Sequence, residues 1–287
     1  MKKQDFKVLK TKDLYPFPDN PFHVAEDETL SELAESIKEF GIVTPIITRP
    51  KEDGDGYEVI AGQRRVRASE LAGINTVPAF VLPLDRDRAI ITLVDSNLQR
   101  ENILPSEKAF AYKMKLEALK HQGKTSVQVE QKLSRTIVAE SCGVSDAQIQ
   151  RYIRLTELVP DLQKMVDEKK LAFTPAVEIS FIRPKNQRYI AVSIEGQQSS
   201  PSLSQAQKMR ELDKDGKLNG DVIDGILSQE KKEVDKVIIN SAELEKYFGK
   251  DKSPREMKDK IISLLDDWKA KQPPELGKPE KKADLGK

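Results

Sequence analysis

The sequence predicts an α+β N-terminal domain, then an all-α helix-turn-helix domain and a small C-terminal helical region, within 287 residues. Three observations lead there. Runs with strand-like alternation crowd the first 84 residues, at 6–9, 45–49, 57–60 and 77–82, with helical stripes between them. From Asp85 onward the pattern turns helical, and Ala139, Gly143 and Ile149 take the small, glycine and branched positions that a tight turn between crossing helices requires. Near the end, Met257, Ile261, Leu264, Leu265 and Trp268 recur at helical spacing. The expected divisions are 1–104, 105–195, 202–268 and a disordered, Lys/Pro/Glu-rich tail at 269–287.

Within the first division, Thr29 and Glu32 have the spacing of a capping box, Leu30, Leu33, Ile37 and Phe40 form a helical stripe, and Gly41 suits a left-handed stop. A short helix over 64–72 closes at Gly73. Ala89, Ile90, Leu93 and Val94 share one helix, and a second spans 106–122 behind Pro105. Helical sequence resumes at 127 and runs to about 192. The polar stretch 197–201 reads as a linker or long loop before helices at 203–212 and 221–229, and 234–240 reads as a strand.

Composition narrows the function. With 48 Lys and Arg against 47 Asp and Glu, the net charge is +1, so any nucleic-acid contact must be local. The one cysteine, Cys142, excludes an internal disulfide and a cysteine metal cluster, as expected in a reducing cytoplasm. His23 and His121 lie too far apart in sequence to suggest a His-based zinc enzyme. No secretory h-region follows Met1 and no apolar run approaches the roughly 20 residues that cross a bilayer, so a cytosolic protein without membrane partners is expected.

The run Ile60-Ala61-Gly62-Gln63-Arg64-Arg65-Val66-Arg67-Ala68 puts a glycine and three arginines where a strand gives way to a helix. Free amides at a helix start favour anions, glycine lets a ligand approach the backbone, and guanidinium forks grip phosphate at two points. A solvated basic helix start has the same composition, and local features leave both readings open.

In the helix pair, Ser145 is placed as N-cap, with Gln148 positioned to close the box. At 100° per residue, Ile149, Tyr152 and Ile153 share one face, leaving Ala147, Gln150, Arg151 and Arg154 on the other. Gln can read adenine, Arg can read guanine or hold phosphate, and a helix start favours phosphate. Arg135 and Thr136, read as the start of the first helix, are placed for contacts to the DNA backbone. A hairpin that merely packs is the competing reading; agreement among the small, glycine and branched positions favours DNA binding.

Residues 14–182 resemble the ParB family of chromosome and plasmid partition proteins. Pro18-Asp19-Asn20-Pro21-Phe22 is similar to the family's Asn-Pro motif, Gly41-Ile42-Val43-Thr44-Pro45-Ile46 to its cytosine-side segment, and Gly62-Gln63-Arg64-Arg65 to its Gly-Glu-Arg-Arg phosphate box. Asn97-Leu98-Gln99-Arg100-Glu101, with Pro105 and Glu107 following, resembles its second phosphate motif. The resemblance implies a ParB/sulfiredoxin-like N-terminal fold and a CTP-dependent dimeric clamp. The helix-turn-helix of such a clamp loads on a centromere-like site in double-stranded DNA, CTP and Mg²⁺ close the N-terminal domains of a homodimer, and a Walker-type partition ATPase is the partner, in a nucleoid-associated protein of the cytoplasm. It further implies that Thr44, Pro45 and Ile46 line the base pocket; that Gly62, Gln63, Arg64, Arg65 and Arg67 hold the triphosphate; and that Asn97 helps hold Mg²⁺, with Gln99 and Arg100 nearby.

Three departures from the family pattern matter. Gln63 and Ser96 stand where relatives carry Glu, so nucleotide binding is expected to survive better than hydrolysis, with Asp95 a partial substitute and enzyme status left open. Phe173-Thr174-Pro175-Ala176-Val177 replaces a Gly-His-Ala segment, which suggests a different DNA site. The region after residue 200 has no evident dimerisation segment of the usual kind. The rival readings are a ParB-like transcriptional or nucleoid-occlusion regulator and a sulfiredoxin-like ATP-using oxidoreductase. The latter needs a cysteine beside the phosphate box, where this chain has Gly62 and Gln63.

Overall fold

A five-stranded sheet anchors the front of the molecule, with order β1-β5-β3-β4-β2. The computed structural model describes residues 5–100, 102–122, 127–229, 241–249 and 253–270. They fall into two compact units, Met1–Lys231 and Lys232–Lys287. The strands are β1 (Asp5–Lys10), β2 (Leu14–Pro16), β3 (Ile46–Pro50), β4 (Tyr57–Ala61) and β5 (Thr76–Val81). β1 pairs antiparallel with β5, β3 parallel with β5 and antiparallel with β4, and β2 parallel with β4. Four strands match the sequence expectation; β2, three residues ending in a proline, carries too little alternation to be seen.

Pleating sends neighbouring side chains to opposite faces. Val59, Val77, Ala79 and Val81 pack with Val66 of α2 (Gln63–Leu71), whereas Ile60 joins Phe17, Phe22 and Leu93 of α3 (Arg86–Leu98) on the other face. α1 (Glu28–Phe40) packs beside α2 through Leu30, Ala34 and Ile37. Two details differ from expectation. Asp27, not Thr29, is the N-cap: its carboxylate accepts from the Leu30 amide at 2.9 Å, and the Thr29 hydroxyl donates to that same oxygen. Phe40 is 69% exposed, and Ala34 occupies the buried stripe instead.

α4 (Pro105–Gln122) is the central helix, apolar on several sides and therefore enclosed. Ala111 and Ala118 pack against the sheet-side core, Tyr112 against the following helix pair, and Ala109 against the rear core. One apolar cluster thus runs across residue 104, joining Phe17, Phe22 and Ile60 to Ile103, Ala111 and Ala118. Glu107, itself buried, accepts from the amides of His23 at 2.9 Å and Leu104 at 3.2 Å, which pins the loop before α1 to the start of α4.

Behind α4 lie α5 (Val127–Cys142), α6 (Asp146–Arg154), α7 (Pro160–Asp167), α8 (Phe173–Ile179), α9 (Pro184–Gln197), α10 (Leu203–Lys214) and α11 (Gly220–Leu227). α10 and α11 bury Ala206, Met209, Ile223 and Ile226 in the core that holds Leu162, Ile179 and Ile190. Asp213 adds a polar tie, accepting from Arg183 and from Asn186. The stretch after Gln197, up to residue 202, is therefore a loop inside the first unit, and 203–227 belong to that unit, not to the C-terminal region expected from sequence.

The second unit holds α12 (Ser241–Phe248) and α13 (Pro254–Ala270). Of the expected stripe on α13, Met257 is buried, whereas Leu264, Leu265 and Trp268 are exposed. The strand expected at 234–240 and nearly all of the tail expected at 269–287 lie outside the described residues. Among the described residues no helix is long and apolar enough to cross a membrane.

Candidate functional site

The β4–α2 turn is built around Gly62, whose φ of 103° lies in the left-handed region. A Cβ there would sit 2.7 Å from Ile46 Cγ2, so the turn closes on the 44–46 segment only because residue 62 has no side chain. Arg65 seals the approach: its Nη1 donates to the carbonyl oxygens of Thr44 and Pro45, the latter at 2.8 Å. Burial of the Arg65 guanidinium pulls its pKa below the ordinary arginine value. The amides of Arg65 and Val66 return to the Gly62 carbonyl, leaving those of Gln63 and Arg64 without an acceptor among the described residues. The structure thus brings Thr44, Pro45, Ile46, Gly62 and Arg65 together, with two open amides at a helix start. That set fits a phosphate chain leading to a small planar group.

The other two arginines are already engaged, by acidic partners that the sequence did not single out. Arg64 Nη2 donates to Thr29 Oγ1 at 2.6 Å and to Asp27 Oδ1 at 3.3 Å. Arg67 meets Glu26 Oε1 at 2.5 Å and Glu70 Oε2 at 3.1 Å. The Asp27 carboxyl is held below its usual pKa, first by the Thr29 hydroxyl and also by Arg64. The acidic run Glu26-Asp27-Glu28 was the available clue, but its partners lie 37 and 41 residues away. Gln63 turns inward, donating from Nε2 to the Val59 carbonyl at 3.1 Å. A glutamate could not make that bond, because a carboxylate has no proton to donate.

The second motif sits apart. Asn97 is 7% exposed and donates from Nδ2 to Leu93 O at 2.8 Å, while Gln99 and Arg100 are exposed at the end of α3. Among the described residues no hydrogen bond joins these three to the Gly62 turn, and no group of three His, Cys, Asp or Glu side chains is placed to hold a metal. Asp95 does not stand in as a free carboxylate: the Lys115 ammonium takes it. Asn20 Oδ1 accepts from the Phe22 amide at 3.1 Å, so the Asn-Pro motif builds a local turn that buries Phe22.

The helix pair has the geometry its spacing predicts. Gly143 has φ 65°, Val138, Ala139 and Ile149 are buried together, and Ser145 caps α6 by accepting from the Gln148 amide at 3.2 Å. α5 begins at Val127, so Arg135 and Thr136 lie mid-helix and gain nothing from a helix start. Ala147, Gln148, Gln150 and Arg151 are exposed. Arg151 donates to the Thr174 hydroxyl at 2.8 Å and lies over Phe173, which links the exposed face of α6 to the segment 173–177. Arg154 is not on the open face. Its guanidinium donates to Ser180 Oγ at 3.3 Å and Ser180 O at 2.5 Å and stacks on Phe181, which makes it a brace between α6 and α8. Cys142 lies on α5 beside the Val138 cluster, and the Gly62 turn has no thiol, so sulfiredoxin chemistry finds no nucleophile there.

Comparison with known proteins adds independent findings. Residues 1–98 match the family described as the ParB N-terminal domain. The chain is 33% identical over 186 residues to stage 0 sporulation protein J of Bacillus subtilis, covering 65% of this chain and 61% of that protein. It is also 33% identical over 197 residues to the chromosome-partitioning protein Spo0J of Thermus thermophilus, covering 68% and 66%. A crystal structure of the C-terminally truncated chromosome-partitioning protein ParB from Caulobacter crescentus, complexed to the centromeric parS site, is 25% identical, with a TM-score of 0.44 over 71% of this chain and 98% of that one. The matched region spans less than two thirds of each curated relative named here.

Proposed function

We propose that this chain is a member of the ParB family and, on that premise, a DNA-binding partition protein, a CTP-gated dimeric clamp on a centromere-like duplex site. The observation that carries the nucleotide half is the Arg65 bridge, which joins the Gly62 turn to Thr44 and Pro45. In this reading Thr44, Pro45 and Ile46 line the base. The open amides of Gln63 and Arg64, together with Arg64, Arg65 and Arg67, hold the phosphates, and Gln99 and Arg100 approach from α3. CTP, when bound, supplies a chain of negative charge, and Asn97 would help hold the Mg²⁺ that offsets it. Closure follows only if the paired, closed arrangement grips the phosphates better than the open one.

The DNA half rests on α6. Gln148, Gln150 and Ala147 present polar and small side chains to base edges, Arg151 reaches phosphate or guanine, and Ser145, Arg135 and Thr136 face the backbone. The exposed Leu264, Leu265 and Trp268 on α13 supply an apolar stripe suited to pairing two copies. A Walker-type partition ATPase is the partner proposed for the assembly, which works on nucleoid DNA in the cytoplasm.

The test is site-directed crosslinking between the N-terminal domains of two full-length copies, with CTP and duplex varied. Crosslinking should rise only when both are present. Arg65→Ala should abolish the CTP response and keep duplex binding, while Arg151→Ala should weaken duplex binding and keep CTP binding. A titration with no CTP uptake by the intact protein, cognate duplex present, would falsify the reading.

A further inference from the structure

We infer that Lys115 is a positioning residue that ties the DNA-reading helix pair to the end of α3 assigned above to the nucleotide, so that movement of α3 is transmitted to α5; the inference rests on that proposed function. Lys115 lies in the middle of α4 and is 2% exposed, a burial lysine almost never has unless paired. Its ammonium grips the Asp95 carboxylate on α3 and donates to Ser141 Oγ on α5 at 2.7 Å. The Ser141 hydroxyl in turn donates a hydrogen bond to Val138 O at 2.9 Å, and Val138 packs with Ala139 and Ile149 beneath the turn of the helix pair. Asp95 stands two residues before Asn97, near the C-terminal end of α3. One charge therefore contacts both modules.

Packing alone does not require that charge, because an apolar side chain of similar length would fill the same space without desolvation. With the ammonium in place, α3 and α5 cannot separate without stranding it in the interior, which is costly. The contact is consequently kept or broken as a whole, which suits an element with two discrete arrangements.

The test uses the full chain, CTP, and a duplex selected on the wild-type protein from a randomised pool. The quantity read is the factor by which saturating CTP changes duplex affinity. For Lys115→Met, CTP affinity and CTP-free duplex affinity should stay within about twofold of wild type, whereas that factor should fall by about fivefold or more, the usual scale of coupling between sites. Ser141→Ala, an exposed position that keeps the Lys115–Asp95 pair, should lower the factor in the same direction and guards against a Lys115→Met chain that fails to fold. A factor unchanged in both variants overturns the inference and leaves the proposed function standing. If the wild-type protein takes up CTP yet shows no factor at all, the relay falls while nucleotide binding survives; if it takes up no CTP, both fall.

Discussion

Each arginine of the Gly62 turn carries a different commitment. Arg65 shapes the pocket by giving one nitrogen, Nη1, to main-chain carbonyls, whereas Arg64 and Arg67 hold the carboxylates of Asp27 and Glu26 where a phosphate would otherwise compete. Those carboxylates act as rivals to any anionic ligand. Exposed ion pairs are worth about 0.2–1 kcal/mol, so Glu26→Gln should tighten CTP binding by a factor between about 1.4 and about 5, read by calorimetric titration, and high salt should shrink the difference. Gln63 makes a second prediction. Its inward bond to Val59 O is closed to a carboxylate, so Gln63→Glu should swing outward, and phosphate release from CTP should rise above the wild-type rate while affinity changes little.

At the scale of elements, the α6–α8 contact separates stability from recognition. Arg154 braces Ser180 and Phe181, so Arg154→Ala should lose about 1.5–3 kcal/mol in denaturant unfolding, the range for hydrogen bonds from a charged donor. Gln150→Ala, exposed on the same helix, should leave unfolding unchanged and shift the preferred duplex sequence in a selection experiment. The helix pair was legible because its turn is a local matter of Ala139, Gly143 and Ile149, all within one short stretch. The face of Arg154 was not, since its partners are 26 and 27 residues away on another element and helical periodicity carries no information about them. The same limit hid Asp27 and Glu26 from the reading of the arginines. Four strands could be read from alternation and β2 could not; the cap on α1 was misplaced by two residues because Asp27 and Thr29 are both competent caps.

At the scale of the whole molecule, α4 is the axle around which three apolar clusters are arranged. Tyr112 lies there, 4% exposed and edge-on to Tyr152, and burial raises its phenol from 10.0 to about 12. The sign follows from linkage: between those values the unfolded chain releases the phenolic proton and the folded chain keeps it, so stability falls as pH climbs through this window. Wild type should therefore lose thermal midpoint more steeply between pH 10 and 12 than Tyr112→Phe, with the two curves parallel below pH 10. Equal slopes throughout would show that this phenol ionises as readily in the folded chain as in the unfolded one.

The apolar seam crossing residue 104 bears on how the chain can be dissected. A fragment ending there would lose Ala111 and Ala118 from above Phe17, Phe22 and Leu93, and with Glu107 gone the His23 amide would lose its anchor. Such a piece would carry an oily flank into water and should clump when purified, whatever its affinity for ligand. Cutting beyond α11 instead leaves that seam whole, and the shortened chain should stay in solution.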